Sequence, residues 1–189
     1  GAKPGDAVLD CATGTGDLAI AFKKTVGSGR VVGTDFCADM LSFAPGKANA
    51  MGLDIAFEVA DAMDLPYADA TFDIASISFG IRNVDDPSRC LAEMARVVRP
   101  GGRVVVLEFG QPKGIMGLSY RWYSRHVIPV VGKMLTGNRE AYAYLPETAA
   151  AFPCREAFLN LMRGTNRYAS VRYRALTGGI AFVYVGIVK

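Results

Sequence analysis

A pair of glycines set among carboxylates, and an arginine followed by an asparagine, are the residues of this chain whose types and spacing can do chemistry. The stretch Ala7-Val-Leu-Asp-Cys-Ala-Thr-Gly-Thr-Gly-Asp-Leu-Ala19 passes from an apolar run through a glycine turn into a helical pattern. Gly14 and Gly16 lack a Cβ, so the chain can turn sharply and bring backbone N–H groups close to a ligand at a helix start. Asp35 closes the next apolar run, Arg30-Val-Val-Gly-Thr-Asp35, where a carboxylate can accept from both hydroxyls of a ribose. Gly14-x-Gly16-x-x-Ala19 with Asp35 also fits a dinucleotide fingerprint, so spacing alone leaves NAD open. Charge separates the two. Asp10 precedes the loop and Asp17 follows it, flanking the place a pyrophosphate would take, and like charges a few ångströms apart disfavour that arrangement. S-adenosylmethionine has no phosphate and carries a cationic amino group and sulfonium, so an acidic loop predicts it as the cofactor. Asp17 as a complement to the helix dipole, and Asp10 as a turn residue, are the readings that need no ligand.

Three further strand ends add candidates. Phe36, next to Asp35, can lie against an adenine. In Val59-Ala-Asp-Ala62, Asp61 can accept from the adenine amino group and the N–H of Ala62 can donate to a ring nitrogen; Asp61 as a plain turn residue is nearly as good a reading. The run Ser76-Ile-Ser-Phe-Gly-Ile-Arg-Asn83 ends a fourth strand. The Asn-Pro-Pro-aromatic turn that holds an amine in enzymes methylating exocyclic base nitrogens is absent there. Arg82 and Asn83 stand instead where an acceptor would meet a methyl group, and a guanidinium stabilises an oxyanion on that acceptor. A structural pairing of Arg82 with Asp85 or Asp86 is the competing reading.

These residues need a scaffold that brings strand ends together. Strand-like runs at 7–10, 30–35, 55–59, 72–78 and 102–108 alternate with helical patterns at about 17–24, 38–51 and 87–98, which predicts βαβ units and a parallel sheet covered by helices. Arg99-Pro-Gly-Gly102 ends the last of these helices. The alternation lapses from Gly110 to Ala151, read as a lid insertion at about 110–151. A helix at about 153–163 follows, then runs at 168–175 and 180–188 joined by Thr177-Gly-Gly179, a link short enough for an antiparallel pair at the sheet edge.

At 189 residues with 51% hydrophobic content, the chain is read as a single α/β domain over 1–189. No apolar run approaches the ~20 residues that span a bilayer, and no leader precedes the first strand. The four cysteines have no paired spacing, and His126 is the only histidine, so no metal site is expected. Reduced thiols suggest a cytoplasmic protein. The net charge of +3 conceals an asymmetry: residues 1–109 carry −5 and residues 110–189 carry +8. The basic half can attract anionic lipid headgroups or nucleic acid, or simply be a solvated surface.

Inside the insertion, Tyr120-Arg-Trp-Tyr-Ser-Arg-His-Val-Ile-Pro-Val-Val131 mixes aromatic, aliphatic and basic residues. That composition suits an apolar pocket or an interfacial surface with arginines at headgroup level, and equally a helix packed into the core. His126 can serve as a general base near neutral pH, although a lone histidine is more often structural.

Taken together, Asp10-Cys-Ala-Thr-Gly-Thr-Gly-Asp17, Leu65-Pro-Tyr-Ala-Asp-Ala-Thr-Phe-Asp73, Ser78-Phe-Gly-Ile-Arg-Asn-Val84, Arg99-Pro-Gly-Gly-Arg103, Leu107-Glu-Phe109, His126-Val-Ile-Pro129 and Tyr142-Ala-Tyr-Leu-Pro146 closely resemble the menaquinone/ubiquinone biosynthesis C-methyltransferases. The resemblance runs over essentially the whole chain. It implies a class I methyltransferase, a Rossmann-like doubly wound sheet of seven strands with the last antiparallel. It also implies that Thr15, Asp35, Asp61, Ala62 and Ser78 contact S-adenosylmethionine, with Asp10, Gly14, Gly16 and Phe36 completing the cofactor site. The implied substrate is a lipid-soluble polyprenylated quinol, with Phe79, Trp122, Tyr123, Tyr142 and Tyr144 as substrate-binding candidates. Demethylmenaquinol is the first expectation and a benzoquinol the second; a NAD-dependent reductase and a non-catalytic S-adenosylmethionine- or RNA-binding protein are the other classes.

The chain departs from the family pattern in several places. Thr13 replaces a frequent glycine or cysteine, Asp61 a frequent asparagine, and Gly164-Thr-Asn-Arg167 stands where Ala-Gly-Phe is usual. The family's N-terminal helical segment is missing from the sequence as read. The expected chemistry begins with loss of a phenolic proton. Arg82, oriented by Asn83, holds the resulting oxyanion, and water or a side chain such as His126 takes the proton. No nucleic-acid partner is expected; contact with the inner face of the membrane and homo-oligomerisation are.

Overall fold

The computed structural model describes residues 1–111 and 152–189. Seven strands form one sheet: β1 (Val8–Cys11), β2 (Val31–Asp35), β3 (Ala56–Val59), β4 (Phe72–Ser78), β5 (Val98–Phe109), β6 (Tyr168–Leu176) and β7 (Ala181–Val188). Their order is β3-β2-β1-β4-β5-β7-β6. The first five are parallel to their neighbours, and β7 runs antiparallel to both β5 and β6. Seven strands with the last antiparallel is the architecture the sequence predicts.

The helices are α1 (Asp17–Val26), α2 (Ala38–Leu41), α3 (Ala44–Ala50), α4 (Pro87–Val97) and α5 (Glu156–Gly164). They divide the core between the two faces of the sheet. On one, Ala19 and Val26 of α1 meet Val8, Val31 and Ile74. On the other, α4 and α5 supply Leu91, Met94, Phe158, Leu159 and Met162 to a larger core with Leu9, Ile77, Val104 and Val106. β1 is buried on both faces, which is why it reads as a continuous apolar run interrupted only by Asp10.

Local chemistry explains the element ends. Asp86 caps α4 by accepting from the N–H groups of Ser88 and Arg89, and Pro87 fills the first helical position, where a missing N–H costs nothing. The helix expected over 38–51 is two helices. Pro45, in the first turn of α3, cannot donate back to the carbonyl four residues earlier, and its ring crowds that carbonyl. β5 is longer than expected, starting at Val98 directly after α4. Its register against β4 shifts between Phe72 and Ile74, so Arg99-Pro-Gly-Gly102 is an irregularity within the strand and not a separate loop. At the end of α5, Asn166 takes the left-handed conformation (φ +55°) that ends many helices, which accounts for Gly164-Thr-Asn-Arg167.

The carboxyl-terminal pair is anchored by aromatic packing. Phe158 of α5 lies 4.2 Å, centroid to centroid, from Tyr184 of β7, and the hydroxyl of Tyr168 donates to the carbonyl of Leu91 in α4 at 2.7 Å. Phe158 is fully buried. Phe158→Ala is therefore expected to lower the free energy of unfolding by about 3–5 kcal/mol in urea titrations, the usual cost of a large aromatic cavity.

Candidate active site

The chain builds β1, β2 and β3 outward in one direction, then returns to place β4 on the other side of β1. Between β1 and β4 the helical connections diverge, and a crevice opens at the carboxyl ends of the strands. The loops leaving those two strands meet there. A Cβ on Gly80 would stand 2.4 Å from the Cβ of Ala12, so only glycine permits this approach. Gly16, at φ +83°, has Ala44 and Phe57 against the place a side chain would occupy.

Asp10 underpins the crevice. Its carboxylate is 1% exposed and accepts from the hydroxyl of Thr13 in the glycine loop and from the hydroxyl of Ser76 in β4, each at 2.7 Å. Burial pushes its carboxyl up to about 6, with Thr13 and Ser76 pulling it back in part. Asp10 thus lies beneath the loop with both oxygens engaged, where it shapes the site from below. The departure at Thr13 acquires a reason here, since glycine would offer no hydroxyl.

Both glycine N–H groups of the loop are already engaged. Gly14 N–H donates to Asp35 Oδ2 at 2.7 Å, Gly16 N–H to the carbonyl of Thr13 at 2.9 Å, and Thr13 N–H to the carbonyl of Thr34 at 2.9 Å. Asp35 also accepts from Cys37 N–H through Oδ1 at 2.9 Å. A pyrophosphate cradle needs such N–H groups free. Asp17 does not stand as an unopposed negative charge beside the loop, because it is paired with Lys47 at 3.0 Å. The Lys47 ammonium also donates to the hydroxyl of Thr15, which in turn donates to Asp17. Lys47 arrives from α3, thirty residues away, with no local signal to announce it.

Around this loop the other donor-site candidates fall at the expected strand ends. Phe36 is 79% exposed beside Asp35, an aromatic face left open at the crevice. Asp61 accepts from Met63 N–H at 2.8 Å through Oδ1, so it does act as a turn residue; Ala62 follows it, half-buried. Ser78 ends β4, and its hydroxyl makes no hydrogen bond among the described residues. A carboxylate at the end of β2, an open aromatic face and a loop whose glycine N–H groups are already engaged suit S-adenosylmethionine.

Beyond Ser78 the chain turns through Phe79, held at φ +56°, into a single 3-10 turn over Ile81–Asn83. That conformation costs a non-glycine residue about 1–3 kcal/mol. It aims the following guanidinium back at the sheet. Arg82 Nη1 donates to the Phe79 carbonyl at 2.8 Å and to Glu108 Oε1 at 2.7 Å, and its charged carbon lies 5.3 Å from the Phe109 ring centre. The side chains of Arg82 and Glu108 are 7% and 1% exposed. The expectation that Asn83 orients Arg82 is corrected: consecutive residues of a 3-10 turn point about 120° apart, and Asn83 is exposed. Nor is Arg82 paired with Asp85 or Asp86. Its partner, Glu108, is the lone carboxylate of the apolar run Val104–Phe109, a signal that marks the residue without naming its partner. His126, Trp122, Tyr123, Tyr142 and Tyr144 lie outside the described residues, as does nearly all of the insertion that the sequence analysis reads as a lid.

Residues 1–188 match the model of the ubiE/COQ5 methyltransferase family. The chain belongs to that family. The ligand class is thereby decided for the methyl donor over the dinucleotide. This methyltransferase is 62% identical over 190 residues to the ubiquinone/menaquinone biosynthesis C-methyltransferase UbiE of Bdellovibrio bacteriovorus, covering 100% of this chain and 81% of that protein. It is 48% identical over 180 residues to the demethylmenaquinone methyltransferase of Thermus thermophilus, covering 95% and 81%. In fold it resembles a SAM-dependent methyltransferase from Aquifex aeolicus, with a TM-score of 0.72 at 20% identity over 100% of this chain and 85% of that one.

Two predictions come from this geometry. Because Asp10 binds its proton more tightly folded than unfolded, its contribution to stability is fully present below the ordinary carboxylate range and lost as the pH rises through about 6. The stability of the wild type relative to Asp10→Asn should fall by up to about 3 kcal/mol between pH ~4 and ~7, read from urea unfolding at both values. Asp35→Ala frees Gly14 and removes the carboxylate expected from the sequence to accept from the ribose. The dissociation constant for S-adenosylhomocysteine should rise about 10- to 100-fold by calorimetry, the range expected for a charge-assisted hydrogen bond.

Proposed function

We propose that this methyltransferase moves a methyl group from S-adenosylmethionine to a ring carbon of a polyprenylated quinol, converting demethylmenaquinol to menaquinol. The observation that carries the mechanism is the guanidinium of Arg82, fixed by Glu108 and the Phe79 carbonyl at the mouth of the β1–β4 crevice. The ring carbon of a quinol is a weak nucleophile until a hydroxyl loses its proton and pushes electron density into the ring. Arg82 stabilises that phenolate with a charge already held in place, so no reorganisation is needed as the charge develops. Asp35, Phe36 and the Asp61 turn hold the donor's nucleoside end, and the glycine loop packs beneath it. When bound, the donor supplies an electrophilic methyl on a sulfonium, and the protein's part is alignment of that methyl with the ring carbon. Phe79 and Phe109, with ring centres 4.4 Å apart, offer the substrate ring an aromatic wall.

The Thermus relative's name supports the naphthoquinol; the Bdellovibrio relative's name covers both quinones, which keeps a benzoquinol as the second reading. No helix among the described residues is long and apolar enough to cross a membrane. A lipid-soluble substrate then calls for peripheral contact at the inner membrane face, and the edge strand β6 exposes Arg172 and Arg174 on one side of the strand, suited to anionic headgroups.

The test is methylation of reduced and oxidised short-chain demethylmenaquinone with labelled S-adenosylmethionine. Only the reduced form should accept the label, because the quinone has no hydroxyl to ionise; labelling of the quinone, or of neither form, would refute the reading. Arg82→Lys is the informative variant, since alanine would strand the buried Glu108 charge. Lysine keeps the countercharge and loses the guanidinium fork. Turnover should fall about 100-fold while S-adenosylhomocysteine affinity stays within about threefold.

A further inference from the structure

The ion pair between Arg82 and Glu108 is incomplete. One bond, Nη1 to Oε1, joins the two groups, although a guanidinium and a carboxylate can pair through two. Arg82 Nε and Glu108 Oε2 are both buried and both lack a hydrogen-bond partner. Among the described residues they are the two buried side-chain polar atoms in that condition, and they belong to one pair. Each unmet group costs about 1–3 kcal/mol. One is a donor and the other an acceptor. A hydroxyl is the complement of that combination, because it donates through its hydrogen and accepts through its oxygen.

We infer that Glu108 is the proton acceptor for the substrate hydroxyl, with Oε2 receiving the proton and Arg82 Nε holding the oxygen. The inference rests on the quinol reading above and names the base that reading leaves open. The O–H bond breaks, the proton passes to Oε2, and the electron pair stays on the oxygen as a phenolate bonded to the Nε–H. Position supports it. Glu108 is the last buried residue of β5, on the same face as Val104 and Val106, and pairs in register with Phe182 of β7. Phe79 and Phe109, whose backbone groups bond to Arg82 and to Glu108 Oε1, bring their rings together at the same corner. Burial also raises the Glu108 carboxyl above its ordinary range despite Arg82 and the Phe109 N–H, which makes its carboxylate a stronger base. Arg82 is the charged group acting on it, and among the described residues Arg155, stacked on Phe182, is the other cation at this corner.

The test uses a naphthol analogue of the substrate whose ionised form absorbs at longer wavelength, titrated with no methyl donor present at a pH where the free naphthol is neutral. Wild-type protein should bind it and develop the naphtholate band. Glu108→Gln, nearly isosteric, should bind it within about threefold without the band, and quinol turnover should drop about 100-fold or more, the low end of general-base contributions. A wild type that binds the naphthol in its neutral form overturns the inference by itself, whatever the variant does. So does a band that survives in Glu108→Gln. Failure of the quinol reading is separately visible, as a wild type that neither binds the naphthol nor methylates the quinol, and the inference then falls with it.

Discussion

A carboxylate with no access to water holds the two halves of the crevice together. Asp10 leaves β1 one residue before its end, and its oxygens accept from Thr13 above and from Ser76 across the β1–β4 boundary. Because the sheet reverses its winding between these two strands, no helical connection ties their loops. Hydrogen bonding through Asp10 and the close packing of Ala12 on Gly80 take over that task. Every other site residue inherits its position from this junction. The glycine loop is set by Thr13, Asp35 is reached through Gly14 N–H, and Phe79 and Arg82 follow directly from the strand carrying Ser76.

The energetic consequence is a sheet that buries a carboxylate at each of two carboxyl ends, Asp10 on β1 and Glu108 on β5, both 1% exposed. As charged groups neither gains stability from that placement. Burial raises both above the ordinary carboxylate range, so each holds its proton more tightly in the folded chain than in the unfolded one. The apolar cores on either side of the sheet must offset the difference, and they are extensive: Phe72, Phe158, Phe182 and Tyr184 are all fully buried in the larger one. Replacing a buried ion pair by apolar residues commonly leaves a protein as stable or more so. A pair like Arg82–Glu108 at a crevice mouth is therefore better explained by chemistry than by folding.

Much of this was legible beforehand because it depends on periodicity and on short-range punctuation. Seven apolar runs matched seven strands, and Asp35, Phe36, Asp61 and Ser78 stand at strand ends as their positions in the runs required. What escaped depends on partners distant in sequence. Lys47 reaches Asp17 over thirty residues, and Glu108 reaches Arg82 over twenty-six. Asp85 and Asp86 are the carboxylates nearest to Arg82 in sequence, yet Asp86 is consumed in capping α4 and the 3-10 turn carries Asn83 away. The break at Pro45 was visible in principle and was outweighed by the apolar spacing on either side.

The fingerprint itself carries the sharper lesson. Gly14-x-Gly16-x-x-Ala19 satisfies the spacing of a dinucleotide loop, and a count of glycines cannot tell a phosphate cradle from a turn that merely lies close to a nucleoside. The difference is in the destinations of the N–H groups. Here Asp35 takes that of Gly14 and the Thr13 carbonyl takes that of Gly16, so both glycine N–H groups are engaged before any ligand arrives. Such a loop contributes shape and a fixed carboxylate, and its two glycine N–H groups are not open to an anion. A cationic donor asks for those two properties together, which is why the residue that ends β2 matters as much as the glycines that follow β1.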